Sequence, residues 1–593
     1  MTRATFLSSR AATFVTLLVK HLCHAHGIVG RQADGSASAS SFLRRGYHAS
    51  IVVGDYVYID GGEFSTYDDG QVDFEYSNTL LSIDLSENWT NSTVTVHSTS
   101  KPSSVPSLVH AGLWYDEATD LIYTGFAGRT STFNASELDP WPMGIWTFKP
   151  DGLGSGTWGT ALNANAPVFD SITRPYTAAI AHGNRVGYAL GGSVTWQTAP
   201  DAVSDTSAIV NIDGMLRFDM ETQELTNVTV EGPRFHNGHV QYAEMVFVPN
   251  FGREGVFLVL GGVSTNPKTD VLDWSTVTVF DPSEGKWYDQ KTTGNTPQGR
   301  KEFCATGLAS DNSTYEIFAY AGWGGDLGTK SVQFDQIYIL TLPAFHWINV
   351  DYPPTGTRHA LTCHAVGGSQ ILTIGGVDSA STDSSATIYA GPFRDRDKYT
   401  QGLAVFDLST LEWKNEYTAN ASKYTQSELV RTYYAENSRN PSFNSTQLKA
   451  VFDATNFTDS ASISTTSGSA SPESPANSEN ESEKSLGTAA IAGIAIGAVA
   501  GILILGGGLT FLWCTKRRSR QRRMHDQQSN LCVANTSAQE MPGEAVAELP
   551  PGQNTLIWEL QGGMRNMCHE KDGNTVVAEL SGDEANQRGS RKS

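Results

Sequence analysis

Five glycine pairs, each closing or following a short apolar strand, constrain this chain more than any other feature: Gly61-Gly62, Gly191-Gly192, Gly261-Gly262, Gly324-Gly325 and Gly375-Gly376. Around them one unit recurs at a spacing of roughly 50–70 residues, with loops of uneven length. A strand of mixed character opens the unit. The glycine-terminated strand follows, then a strand ending in an aromatic or aliphatic residue before Asp, and often a Trp. The first unit reads Tyr47-His48-Ala49-Ser50-Ile51, then Val57 to Gly62, Leu80 to Leu85 and Trp89. The second is degenerate: His110 to Trp114, Leu121 to Gly128, Ile145 to Phe148, and Trp158. The third lacks its Trp, and the last three carry Trp287, Trp347 and Trp413.

A sheet of four short strands cannot bury both of its faces alone, so such units pack radially or stack on one another. A glycine pair lets a strand end in a tight turn near the axis, and the Trp fills the gap between neighbouring sheets. This pattern resembles the kelch-repeat family over about residues 44–415. The resemblance implies an all-β ectodomain built as a six-bladed kelch-type β-propeller. Kelch rings are usually closed by one strand from the far end of the chain, but here both ends carry whole units. The segment 27–43 is left to add an outer strand. After the ring, residues 416–456 form a separate segment. Leu429/Tyr433 and Val430/Tyr434 stand one helical turn apart there, which predicts a short helix packed under the ring.

Outside the repeats the chain reads as a single-pass type I membrane protein. Arg3 and Arg10 flank a short apolar run, and small residues near Ala25 suit cleavage of a signal peptide over 1–26. Residues 487–513 carry no charge and exceed the roughly 20 residues that a helix needs to cross a bilayer. Lys516-Arg517-Arg518 follows at once, which marks the cytoplasmic side and puts the N-terminus outside. The expected location is the plasma membrane or a secretory-pathway membrane. Residues 457–485 form a Ser/Thr-rich stalk and 514–593 a disordered tail. Gly493, Gly497 and Gly501 share one face of the span, a spacing that suits a homodimer. Asn88, Asn91, Asn134, Asn227, Asn312, Asn420, Asn444, Asn456 and Asn480 begin glycosylation triplets ahead of the span. The layout resembles fungal kelch-repeat membrane proteins, a group that carries no established activity.

A net charge of −21 argues against nucleic acid as a partner. Of six cysteines only Cys304 and Cys363 lie in the expected ectodomain, either as a disulfide or as two buried thiols. No metal-ligand spacing appears, and no P-loop or nucleophile elbow. Galactose oxidase, a copper enzyme, is a propeller of this type. Its site needs two His, two Tyr and a Cys bonded to one Tyr. Tyr47-His48 is the only adjacent Tyr-His pair, no second His stands out beside it, and Cys304 or Cys363 would have to supply the thioether. His236/His239 and His359/His364 point to opposite faces if they lie on strands. Asp68-Asp69-Gly70 matches no calcium loop and reads as an acidic turn.

The expectation is therefore a cell-surface protein that binds an extracellular protein or a cell-wall glycan, with no catalysis, no cofactor and no metal. Its contact loops would be 63–78, 129–144, 193–214, 264–274 and 378–401, since loops on a rigid ring carry recognition. The alternatives are a copper oxidase of the galactose oxidase type and a passive structural surface protein.

Overall fold

The computed structural model describes residues 31–33, 37–133, 140–198, 208–232, 234–265, 269–381 and 390–457. The leader, the stalk beyond 457, the span with Gly493, Gly497 and Gly501, and the tail lie outside the described residues, as do Asn134 and Asn480. Among the described residues no helix is long and apolar enough to cross a membrane.

Six sheets follow one another along the chain, each with four antiparallel strands in order from the axis outward; the fifth sheet adds Thr293–Gly294, parallel, at its outer edge. Their inner strands are Ala49–Val53, Trp114–Asp116, Ala179–Gly183, Glu244–Val248, Cys304–Ala309 and His359–Val366, taken as sheets 1 to 6. Each inner strand lies against that of the next sheet, and the sixth returns to the first, so the sheets form a closed ring. Strand Val256–Leu260 shows why. Its side chains alternate between faces, so Phe257 and Val259 enter the core shared with sheet 3, and Val256, Leu258 and Leu260 the core shared with sheet 5. Six such cores each join one sheet to the next. A fully buried side chain of this kind stabilises by roughly 1.5–3 kcal/mol, and no sheet could stand without both neighbours.

The glycine mark is more specific than a pair. Its second position is glycine in all six sheets: Gly62, Gly128, Gly192, Gly262, Gly322 and Gly376, at φ between 79° and 117°. At Gly62 an added Cβ would sit 2.7 Å from the carbonyl of Gly46 and 2.8 Å from His48 Cα. In sheet 5 the mark is Ala321-Gly322. The predicted Gly324-Gly325 lies two residues further on, exposed in a loop. Trp158, Trp287, Trp347 and Trp413 occupy one register position on the fourth strands, opposite Phe148, Phe280, Leu340 and Phe406. Leu225 holds that place in sheet 3 and Val96 in sheet 1. Trp89 does not: it sits on the two-residue strand Trp89–Thr90 in a connecting loop.

That strand is part of the closure. Glu416–Tyr417, just past sheet 6, pairs antiparallel with Trp89–Thr90. The Trp89 and Tyr417 rings stack at 5.1 Å, and the Tyr417 hydroxyl donates to the Leu85 carbonyl at 2.9 Å. A second clasp lies on the other face of the same seam. The Arg396 guanidinium donates to the Phe42 carbonyl at 2.7 Å, and the Asp397 amide to that of Leu43 at 3.0 Å. The N-terminal segment therefore adds no outer strand. Arg31–Ala33 and Phe42–Gly46 instead flank the hairpin Glu63–Asp68/Gln71–Ser77, forming a small sheet over the loop face.

Beyond Tyr417 the chain runs as a strap across the opposite face. The predicted helix forms over Glu428–Glu436, with Val430 buried and Tyr434 packed in the core between sheets 5 and 6, while Leu429 is exposed. A second helix, Thr446–Asp453, was not foreseen. Ser445 caps it by accepting from the Leu448 amide at 3.0 Å, and Leu448 and Phe452 plug the core between sheets 4 and 5.

Candidate functional site: the mouth of the axial channel

The second strand of each sheet ends where the first begins, so one end of the axis gathers six equivalent turn residues. These are Tyr47, His110, Thr177, Tyr242, Glu302 and Ala360, each two positions ahead of an inner-strand residue that faces its neighbour. All six have left-handed φ, between 51° and 63°. For residues other than glycine that conformation costs about 1 kcal/mol or more each. Backbone hydrogen bonds between the turns offset it: Tyr47 donates to the carbonyl of Ala360, Ala360 to Glu302, Glu302 to Tyr242, Tyr242 to Thr177, and His110 to Tyr47, at 2.8 to 3.4 Å. The left-handed turn swings each chain from the loop into the axial direction and aims its side chain at the mouth.

Four of these six residues bring chemistry. Tyr47, His110, Tyr242 and Glu302 line a cavity of about 210 Å3 that runs down the axis past Ser50, Glu244 and Thr362. The Tyr47 ring lies 4.6 Å from that of His110 and 6.4 Å from that of His359. Tyr176 and Tyr242 stand at 5.0 and 5.9 Å from His110. Two cations sit against this wall: Lys301 lies between the Tyr242 and Trp323 rings at 5.2 and 4.3 Å, and Arg129 covers Tyr176 at 5.0 Å. Glu63 accepts from the Ser131 hydroxyl at 2.6 Å and the Thr132 amide at 3.0 Å.

Burial sets the protonation states. It pushes the Glu302 carboxyl up to about 7, with Lys301 and Arg129 pulling weakly the other way. It lowers His359 to about 3, helped by Lys301 and Arg44, and holds His110 well below its usual range. It raises the phenols of Tyr47 and Tyr242 and lowers Lys301. Burial also opposes the Arg129 charge, but Tyr176 and Glu63 more than offset it. Deeper in the channel, His48 Nε2 lies 2.9 Å from Thr362 Oγ1, and Ser50 Oγ lies 2.7 Å from His364 Nε2. His182 and His364 are lowered to about 4 and Glu244 is raised to about 8, all by burial. Near neutral pH burial thus favours the neutral forms of the deeper groups, while Arg129 at the mouth keeps its charge.

Sequence reasoning saw Tyr47 and missed its company. The two histidines next to it come from other sheets, and no residue type repeats at the six turn positions. Counting back from the second glycine of each unit to the strand before it would have found them. Cys304 and Cys363 are joined in a disulfide between the inner strands of sheets 5 and 6, so neither is free to bond a tyrosine. Among the described residues, no three His, Cys, Asp or Glu side chains converge as a metal site needs. His236 and His239 share an exposed turn, where His239 contacts Asp213. Asp69 and Gly70 are the left-handed turn of the first loop hairpin.

The other marked residues lie elsewhere. Asn88, Asn227, Asn312, Asn420, Asn444 and Asn456 are exposed. Asn91 is buried in the seam at 8% exposure, where its amide donates to the Leu403 carbonyl, so the glycan expected there has no room.

The expected contact loops all spring from the mouth end. Five of the seven exposed large apolar side chains among the described residues stand on loops of that face: Tyr67, Ile209, Val210, Val271 and Val332. Val332 belongs to a loop of sheet 5 that the sequence reading did not single out.

No family model matches the chain. A kelch repeat-containing protein of Arthroderma benhamiae is 27% identical over 425 residues, which is 67% of this chain and 60% of that protein. A solved structure of YjhT covers 64% of this chain and 99% of its own, at 13% identity and a TM-score of 0.41. In sequence the chain is thus similar to a kelch repeat-containing protein, and its closed ring of sheets is the arrangement that its repeats predict.

Proposed function

We propose that this chain is a six-bladed kelch propeller held at the cell surface, N-terminus outside, which binds a protein or glycan partner through the loop face around the channel mouth. The observation that carries this reading is the clustering of exposed apolar side chains on that face, with Tyr67 and Val210 each about half exposed. Exposed apolar groups gathered on one side of a rigid frame mark contact surfaces. The opposite face is covered by the chain's own strap. The apolar, uncharged run at 487–513 and the basic cluster behind it support the anchored orientation.

The test is capture of cell-surface proteins and wall polysaccharides by the full-length chain, with a Tyr67→Ser/Val210→Ser double variant as control. Capture should be saturable and lost in the variant. Equal capture by both chains would sink the reading.

A copper oxidase draws some support from Tyr47, Tyr242, His110 and His359 meeting at the mouth, but the cysteine that chemistry needs is consumed by the disulfide. Stoichiometric copper in the purified chain would revive it.

A further inference from the structure

The cup at the channel mouth holds polar atoms with nothing to bond. Glu302 Oε2 and His359 Nδ1 are buried and without hydrogen-bond partners, and the two side chains are 7% and 2% exposed. An unsatisfied buried acceptor costs roughly 1–3 kcal/mol; Glu302 lines the open cavity with His359 behind it, so its free oxygen calls for a ligand that brings hydrogen-bond donors. Glu302 Oε2 lies 3.7 Å from His359 Nε2, too far for a good hydrogen bond between them.

Charge narrows the class of ligand. A cation entering the cup would meet Lys301 and Arg129, both held against the aromatic wall. An anion would meet Glu302 and Glu63. In a site of low dielectric either repulsion is strong. A neutral ligand with several hydroxyls escapes both, since hydroxyls donate to the free acceptors and accept from the cations. Size narrows it again. About 210 Å3 is below the roughly 300–1,000 Å3 of sites for drug-sized ligands. That space suits one six-membered ring with its hydroxyls, and any further units would lie outside the open mouth. The rings of Tyr47 and Tyr242 offer flat apolar faces for the carbon side of such a ring.

We infer that the cup takes a single neutral sugar ring, the terminal unit of a glycan, with Glu302 accepting from its hydroxyls. This rests on the loop face being the contact face, and it names the ligand class at its centre.

The full-length chain would be titrated with the methyl glycosides of glucose, galactose, mannose and N-acetylglucosamine, with tetramethylammonium and acetate as charged probes. At least one neutral glycoside should bind saturably. Glu302→Gln should weaken it by at least about tenfold, as loss of a charged hydrogen-bond acceptor implies. Glu302→Asp, which draws the carboxyl back from the cavity, serves the same end if the first variant does not fold. Leu429→Ser, exposed on the strap helix of the opposite face, should leave glycoside binding unchanged. Failure of every neutral glycoside, indifference to both cup variants, or preference for a charged probe would each overturn the inference. If capture of a surface partner survives such a failure, only the sugar assignment falls. If capture itself ignores Tyr67 and Val210, the loop-face reading falls instead.

Discussion

The two faces of the ring solve opposite problems. The loop face is built from insertions of uneven length, carries six left-handed turns, and leaves buried acceptors unsatisfied at its centre. The strap face is covered by the chain itself, and Glu316 Oε2 and Ser427 Oγ are buried without partners there too. Its hairpin turns are covered by residues 416–457, which fill cores with Val430, Leu448 and Phe452 and satisfy turn atoms. Gln426 donates to Thr314 Oγ1 at 2.7 Å, and the Asn456 amide to the Asn250 carbonyl at 2.9 Å. One face spends stability and the other supplies it. If the loop face is the contact face proposed above, recognition and stability lie on opposite sides of one frame, and a change on one side should leave the other alone.

The largest test of that separation removes the plug of the strap. Leu448→Ala and Phe452→Ala should each cost about 3 kcal/mol, seen as a lower thermal midpoint. Partner capture well below that midpoint should not move, and if it falls with the ring still folded, the faces are coupled. Next is the disulfide. Its 59-residue separation implies a loss of about 2–4 kcal/mol in the Cys304→Ser/Cys363→Ser variant, again with capture intact.

The channel gives a pH signature of smaller size, and the two kinds of group oppose each other. Glu302 and Glu244 rise from an ordinary 4.5 to about 7 and about 8. The folded chain holds their protons longer, so their contribution is full below pH 4.5 and is lost as pH rises through 7 to 8. His359, His182 and His364 fall from 6.5 to about 3, about 4 and about 4. Their contribution is full above pH 6.5 and is lost as pH falls toward 4 and 3. Between pH 4.5 and 6.5 three histidines gain while two carboxyls lose, so the thermal midpoint should peak near pH 6.5. Glu244→Gln should flatten the alkaline limb and His364→Gln the acid limb; unchanged limbs would show that these groups do not titrate as placed. The smallest effect on stability belongs to the rim. Tyr67→Ser and Val210→Ser should stay within about 0.5 kcal/mol while capture is lost.

The frame was legible because it rests on glycine and apolar alternation, which sterics and burial leave little freedom to vary. Gly62, Gly192, Gly262 and Gly376 stand where the sequence put them. Sheet 5 misled because a left-handed alanine, Ala321, takes the first glycine's place, while a true pair, Gly324-Gly325, stands in a loop nearby. Trp89 misled because a Trp can serve a seam as well as a blade. The mouth was illegible for a different reason. Its residues share a backbone conformation and a place in the ring but no side-chain type, and only the closure of six sheets brings Tyr47, His110 and Glu302 together. The helix Thr446–Asp453 was missed because its two buried residues, Leu448 and Phe452, are too few to show a period.

The strap also decides how the molecule carries load. The described chain ends at Phe457, on the face away from the cup, next to Phe251 in sheet 4. A partner gripped in the cup and a pull on the C-terminal side would stretch the ring through its thickness, along the axis, and would not pry one sheet from the next. The strap would then peel from its C-terminal side: Asn456 and Phe457 first, then the helix Thr446–Asp453, then Glu428–Glu436, and the Trp89/Tyr417 clasp last. Tension would be absorbed in small successive releases, and the seam that keeps the ring shut would be the final part to feel it.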